Sequence, residues 1–274
     1  MVQMFYCSVN GQNKNELAIN DRGLSYGDGV FTTAKVVNGK ICQLNAHMQR
    51  LKVSCEKLKL AVPDINAIEQ ELTTAARQYA QAVAKVIITA GQGGRGYSRQ
   101  GIANNNVIIS FSSFPQHYLD WQQDGITMGI SEYQLGINSH LAGIKHLNRL
   151  EQVLIRHELD ARAEDDILVT NCNGIVVEGS SANVFWLKNN VWYTPKLVDS
   201  GVKGLKRQQI LSKLAHLYQF EERQATLDEL DDIQAMIITN CVMDVIPVHT
   251  FNNISLSIEA SKVLAIALNT VSHE

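Results

Sequence analysis

The sequence predicts an α+β fold, bordering on α/β, in two domains built on mixed or antiparallel sheets. Three observations predict it. Hairpin turns outnumber strand–helix–strand crossovers along the chain, and a doubly wound parallel sheet would need the crossovers. The chain has 274 residues, a length that allows one big domain or two ordinary ones. A stretch at Ser112 to Gln123 lies between strand-like runs, holds Pro115, one of only four prolines, and reads as a connection. The expected division is a smaller N-terminal α/β domain over 1–113, a connection over 114–123 and a larger C-terminal domain over 124–274.

Taken in order, Met4 to Val9 is apolar and β-prone. Phe31 to Val37 reads as a strand, and Asn38-Gly39 supplies a hairpin turn into Lys40 to Leu44. Asn45 can cap a helix whose apolar positions Met48, Leu51, Cys55 and Leu58 recur at three- and four-residue steps. Asp64 caps a second helix expected to run to about Ala82. Val83 to Ala90 and Val107 to Phe111 look like buried strands. Beyond the connection come a strand near Ile126 to Ser131, a loop at Gln134 to Ile144 and a helix from about His146 to Arg162. Ile167 to Thr170 and Gly174 to Val177 bracket a turn at Asn173-Gly174, and Val184 to Leu187 and Val191 to Thr194 bracket Asn189-Asn190. A helix from about Leu205 to Tyr218, strands at Ala235 to Thr239 and Val245 to Val248, and a last helix from near Ser257 complete the chain.

Composition narrows the function classes. Hydrophobic residues make up 45% and charged residues 19%, which marks a globular chain. The net charge of −3, with basic residues scattered, recommends no nucleic-acid partner. The cysteines Cys7, Cys42, Cys55, Cys172 and Cys241 are odd in number and form no C-x-x-C pair. They read as reduced thiols of a cytoplasmic protein, with no zinc site or disulfide framework expected. The N-terminus lacks the pattern of a signal peptide, and no apolar run approaches the roughly 18 residues of a membrane span. The eight histidines show no metal spacing.

Several short motifs carry chemistry, each with a plainer reading beside it. Lys145, in Ala142-Gly143-Ile144-Lys145-His146-Leu147-Asn148-Arg149-Leu150, falls where a loop is expected to enter a helix. The positive helix end and partial burial would both favour the neutral amine that Schiff-base chemistry needs. The plainer reading is a surface lysine. Glu178 ends one apolar strand, in Val176-Val177-Glu178-Gly179-Ser180-Ser181-Ala182-Asn183-Val184-Phe185, where a carboxylate could pair with a protonated ring nitrogen or simply face water. Gly201-Val202-Lys203-Gly204-Leu205-Lys206-Arg207 puts two glycines before a helix, a phosphate cradle or an ordinary loop. Arg50 could reach a phosphate or face solvent. Gly91-Gln92-Gly93-Gly94-Arg95-Gly96 fits a dinucleotide fingerprint, but no amphipathic helix follows to seat a pyrophosphate. A glycine loop carrying Arg95 and Tyr97 is the better reading, and an NAD(P)-binding oxidoreductase remains the alternative from another class.

Together and in this order the pieces resemble the fold-type IV pyridoxal-phosphate family: D-R-G-x-x-Y-G-D-G from Asp21, H-x-x-R-L from His47, G-x-G-x-R-G-Y from Gly91, K-x-L-N-R from Lys145, E-G-S-S-A-N-V-F from Glu178, G-x-x-G-L-x-R from Gly201 and I-P-V from Ile246. The resemblance implies a two-domain architecture with pyridoxal 5'-phosphate at the domain interface. It implies that Lys145 is the Schiff-base lysine and Glu178 the partner of the pyridine nitrogen. Arg50, the backbone amides of Leu205 and Lys206, and Asn240 would hold the cofactor phosphate. Cys241 stands where the family often has a hydroxyl. Within the family the stretch His140 to Leu154 is most like the aminodeoxychorismate lyases, which implies elimination giving 4-aminobenzoate and pyruvate in folate synthesis. Arg149 stands where branched-chain aminotransferases carry a tyrosine near the cofactor oxygen. Phe31 stands where D-amino-acid aminotransferases carry one that grips substrate. A branched-chain or D-amino-acid aminotransferase is the alternative within the fold. Arg95 and Tyr97 are the candidates for a substrate carboxylate, on a loop that in related enzymes reaches in from the other subunit, so the resemblance implies a homodimer.

Overall fold

The computed structural model describes residues 3–93, 96–102 and 104–272. Its strands fall into two sheets, one in each of two units. The first unit holds the chain to Pro115 together with Ile144–Asn148, and the second holds Gln116–Gly143 and the chain from Arg149 on.

In the first unit the elements are β1 (Met4–Val9), β2 (Gln12–Asn13), α1 (Arg22–Tyr26), β3 (Gly29–Val37), β4 (Lys40–Ile41), α2 (Leu44–Lys57), α3 (Ile65–Ala76), β5 (Gln81–Thr89) and β6 (Asn106–Ser112). The sheet order is β2-β1-β6-β5-β3-β4, with every neighbour antiparallel. Side chains alternate along β3: Val30, Thr32, Ala34 and Val36 are buried, and Phe31, Thr33 and Lys35 are half-buried on the other face. The buried face forms one core with Met48, Leu51 and Cys55 of α2 and Ile68, Leu72 and Ala76 of α3. Removing a side chain such as Leu51, fully buried there, would cost about 2–5 kcal/mol.

Local signals act here as expected at two places. Asn38 and Gly39 both take positive φ, as a two-residue hairpin requires. Asp64 caps α3 by accepting a hydrogen bond from the Ala67 amide. Two boundaries differ. Asn45 lies inside the first turn of α2, whose cap position is Gln43 in the left-handed region with no side-chain hydrogen bond. The second helix stops at Ala76 rather than Ala82, because Gln81 and Ala82 are paired with Val37 and Val36 across the sheet.

The second unit contains α4 (His117–Asp124), β7 (Ile126–Ile130), α5 (Leu150–Asp160), β8 (Asp166–Thr170), β9 (Val176–Gly179), β10 (Asn183–Lys188), β11 (Val191–Pro195), α6 (Leu205–Lys213), β12 (Gln219–Arg223), a 3-10 turn at Leu227–Leu230, β13 (Ala235–Asn240), β14 (Asp244–Phe251), β15 (Ile254–Ser255) and α7 (Glu259–Ser272). The sheet order is β12-β11-β10-β13-β14-β7-β8-β9, with β15 paired to β14. It is mixed, as predicted: β11–β12, β14–β7 and β7–β8 are parallel and the remaining pairs antiparallel. Apolar clusters line it, one with Trp186, Met236, Ile238 and Ile246 and another with Phe185, Trp192, Ile237 and Leu264 of α7. The stretch expected to be a bare connection carries α4, and the helix expected from His146 begins four residues later, at Leu150.

Candidate active site

The late start of α5 matters most, because it changes what surrounds Lys145. Residues around it are extended and add to the edge of β3: Val30 bridges His146, the Phe31 amide donates to the Lys145 carbonyl at 2.9 Å, and the Leu147 amide donates to the Gly29 carbonyl at 3.0 Å. This pairing puts Lys145 opposite Phe31 on one face, with the lysine Nζ 4.6 Å from the ring centroid. Lys145 therefore lies outside the helix, which begins only at Leu150, and its amine sits over an aromatic ring of β3. Glycine at position 29 permits the approach: a Cβ there would fall 2.4 Å from the Ile88 carbonyl oxygen and 2.7 Å from Leu147 Cδ1. Asn148 closes the stretch by donating to the Gly27 carbonyl at 3.0 Å.

The glycine-rich opening at Asp21–Gly29 builds a buried ion-pair centre. Arg22 is 3% exposed and pairs with Asp28 at 2.8 Å, and Arg99 also pairs with Asp28. Burial alone would raise the Asp28 carboxyl, but hydrogen bonds from Arg99 and Arg22 outweigh it and hold the group below its ordinary value. The Arg22 guanidinium also donates to the carbonyls of Gly96, Tyr97 and Ser98, so it fixes the backbone at these three residues. Tyr97 itself is 87% exposed, with its ring against Tyr26 at 5.5 Å. Arg95 lies outside the described residues. Arg50 is half-buried on α2. The dinucleotide reading loses its support: Gly91 has φ +84° and brings the backbone against Asn104, and the described residues 96–102 form no helix.

In the second unit Glu178 is buried at the end of β9, and its Oε2 accepts from the Val202 amide at 2.9 Å. Gly201, at φ +78°, makes that approach possible, since a Cβ there would stand 2.5 Å from Val177 Cγ1. The Val202 carbonyl accepts from Asn183 Nδ2 at 2.8 Å, and Gly204 then caps α6 without any side-chain hydrogen bond. The amides of Leu205, Lys206 and Arg207 thus open a helix with no carbonyl one turn back, the arrangement that binds anions. The Lys206 ammonium is turned to Asp244 at 2.8 Å. Asn240 is committed to its own turn: its Oδ1 accepts from the Val242 and Met243 amides, and its Nδ2 donates to the Ser181 carbonyl. Burial lowers the Arg149 guanidinium, and the carboxylates of Glu178 and Glu151 oppose that shift.

The structure thus brings Lys145 and Phe31 together in one unit, and Glu178, the Gly201–Gly204 turn and the start of α6 together in the other. Sequence reasoning missed Arg22, Asp28 and Arg99. The sequence signal for Arg22 and Asp28 is the D-R-G-x-x-Y-G-D-G run, which pattern alone presents as a turn, and Arg99 lies outside it.

A sequence profile described as Amino-transferase class IV matches residues 29–251. An aminodeoxychorismate lyase of Vibrio harveyi is 37% identical over 241 residues, 88% of this chain and 89% of that protein. The crystal structure of 4-amino-4-deoxychorismate lyase from Pseudomonas aeruginosa superposes with a TM-score of 0.89 at 31% identity, covering 96% of this chain and 98% of that one. A hypothetical aminotransferase from Mycobacterium tuberculosis, in PLP-bound form, shares the fold at a TM-score of 0.87 and 21% identity, over 98% of this chain and 100% of the other.

Proposed function

The chain belongs to the class IV amino-transferase family, and from that premise we propose that it is a pyridoxal-phosphate lyase converting 4-amino-4-deoxychorismate to 4-aminobenzoate and pyruvate, a step of folate synthesis. The observation that carries the choice of reaction is the likeness to the Vibrio harveyi lyase across nearly the full length of both chains. Arg149 and Phe31, standing where the resemblance puts tyrosines in the transaminases, support the same choice.

The donor set suits pyridoxal 5'-phosphate. Lys145 offers a primary amine, Glu178 a buried carboxylate for a ring nitrogen, and α6 an uncapped helix start for a phosphate. Arg50 would add its guanidinium to the phosphate, Asn240 a contact from its turn, and Arg149 a donor to the ring oxygen. When bound, the cofactor supplies an aldehyde for the substrate amine and a cationic ring that withdraws electrons.

The protein's own groups then do the following work. Lys145, once the substrate amine has taken its place, is a neutral base beside the reacting carbon. It takes the proton from the ring carbon that bears nitrogen. The neighbouring carbon–oxygen bond breaks, and enolpyruvate leaves, gains a proton and tautomerises to pyruvate. The carbocycle becomes aromatic, which drives the step forward. Glu178 keeps its proton-sharing partner cationic throughout, and burial between Val177 and Gly201 excludes the water that would weaken that pairing. Phe31 packs against the substrate ring, and Arg95 and Tyr97 meet a carboxylate.

The working form is a cytoplasmic homodimer. An exposed apolar row on α5, Leu150 and Val153 with Leu154, supports a subunit contact. All five cysteines are free thiols, in keeping with a reducing compartment. Among the described residues no helix is long and apolar enough to cross a membrane.

Incubation with aminodeoxychorismate tests the proposal, with release of fluorescent 4-aminobenzoate and of pyruvate in equal amounts expected. Exchange of amino groups between amino acids and keto acids, with no 4-aminobenzoate formed, would replace it with the transaminase reading.

A further inference from the structure

Lys206 is an unexpected residue for its place. It is the second residue of α6, where the positive end of the helix disfavours a cation. It is also only 9% exposed, and an ammonium at that depth needs an answering charge. The answer comes from another element: Asp244, the first residue of β14, meets its Nζ at 2.8 Å. Asp244 itself takes φ +58°, a conformation that aspartate tolerates better than most residues. The pair therefore joins the start of α6 to the turn between β13 and β14.

Both of those elements are assigned to the cofactor phosphate, one through the amides at the start of α6 and the other through Asn240. Asn183 lies against Gly204 and pairs in register with Thr239, so the helix start stands beside the end of β13. The turn is braced from its own side. The Thr239 hydroxyl donates to the Asp244 carbonyl at 2.6 Å, Asn240 Oδ1 accepts from the Val242 and Met243 amides, and Gln122 of α4 donates to the Met243 carbonyl at 2.8 Å. Lys206 and Asp244 supply a side-chain link from the helix start to this turn. We propose that they are positioning residues: their ion pair sets the spacing between the two groups of phosphate donors, and with it the preference for a phosphorylated cofactor over the same aldehyde without phosphate. The inference rests on the proposed cofactor and names what holds its phosphate site in shape.

The pair acts through geometry rather than through its charge. An ammonium answered at 2.8 Å by a carboxylate presents a dipole to its surroundings, and the field of a dipole falls off faster than that of a lone charge. A phosphate, by contrast, is held by donors that must converge on it, and a charge-assisted hydrogen bond is lost when its donor swings away. Loosening one element against the other should therefore cost about one such bond, close to a tenfold loss in affinity.

The test is titration of the full-length protein, stripped of cofactor, with pyridoxal 5'-phosphate and with pyridoxal. Both offer an aldehyde to Lys145, so the ratio of the two affinities, compared between proteins, isolates the phosphate site. Lys206→Met and Asp244→Asn should each lower that ratio about tenfold, and the double variant should lower it no further than either alone. If a single variant does not fold, the double variant, which leaves neither charge unanswered, should show the same fall of about tenfold. A pair that serves stability alone would lower the urea midpoint and leave the ratio unchanged, which overturns the inference. A ratio that falls in Lys206→Met but rises in Asp244→Asn would be plain electrostatics and overturns it too, as do losses that simply add in the double variant. Failure of the wild-type protein to take up either aldehyde at Lys145 sinks the cofactor reading instead, and the affinity for inorganic phosphate, wild type against double variant, still judges the pair.

Discussion

Adding one methyl group at Gly204 tests how the start of α6 is built. A Cβ at this position would stand 1.9 Å from Asn183 Oδ1, far inside van der Waals contact. The backbone itself tolerates alanine, since φ is −67°. The whole cost therefore falls on Asn183, which is buried and donates to the Val202 carbonyl at 2.8 Å. Moving it breaks that hydrogen bond and leaves a half-buried carbonyl unpaired, worth about 1–3 kcal/mol. Overpacking adds about 1–3 kcal/mol, so Gly204→Ala should destabilise the protein by about 2–5 kcal/mol. Urea unfolding followed by tryptophan fluorescence reads this directly, because Trp121, Trp186 and Trp192, the only three tryptophans, all lie in the second unit. Cofactor affinity should fall in parallel, as the displaced turn carries the Leu205 and Lys206 amides. The control is Gly174→Ala, where a Cβ meets open space and only the positive φ opposes it, at about 1 kcal/mol. Pairing Gly204→Ala with Asn183→Ala removes the obstruction, so the double variant should be more stable than the sum of the two losses by about 1 kcal/mol or more. A loss below about 1 kcal/mol for Gly204→Ala, or strict additivity in the pair, would refute this reasoning.

Three further outcomes are expected. Lys145→Ala should abolish turnover and the absorption of lysine-bound cofactor, and an enzyme that kept both would remove the central assignment. Asp28→Asn should cost about 3 kcal/mol by leaving the buried Arg22 guanidinium uncompensated. Because the folded Asp28 carboxyl is held below its unfolded value, its contribution is complete above about pH 4 and is lost as pH falls through the folded pKa. Acid unfolding should therefore be less steep in Asp28→Asn than in wild type, and identical acid limbs would contradict the assignment. Burial pushes the Cys55 thiol up to about 11, so at pH 8 an alkylating reagent should modify exposed Cys172 and spare Cys55, as peptide mapping would show.

Much was legible in the sequence because it depends on near neighbours. The Asn38-Gly39 and Asn189-Asn190 turns need positive φ, and those residues tolerate it at low cost. The Asp64 cap and the spacing of Met48, Leu51 and Cys55 express preferences resolved within one or two helical turns. The order of hairpins sufficed for a mixed sheet, and the run of motifs sufficed for the family. What the sequence could not decide were pairings between distant segments. Ile144–Asn148 reads as a helix start, yet it lies extended because the edge of β3 offers hydrogen bonds to its backbone. Residues 77–82 look helical, yet Ala82 is drawn into the sheet by Val36. Arg22, Asp28 and Arg99 meet although more than seventy residues of chain separate the first from the last. Local sequence sets which conformations a segment can adopt at low cost. Which one it adopts, and which side chains then share a face, is set by backbone hydrogen bonds and burial that exist only once distant strands have paired.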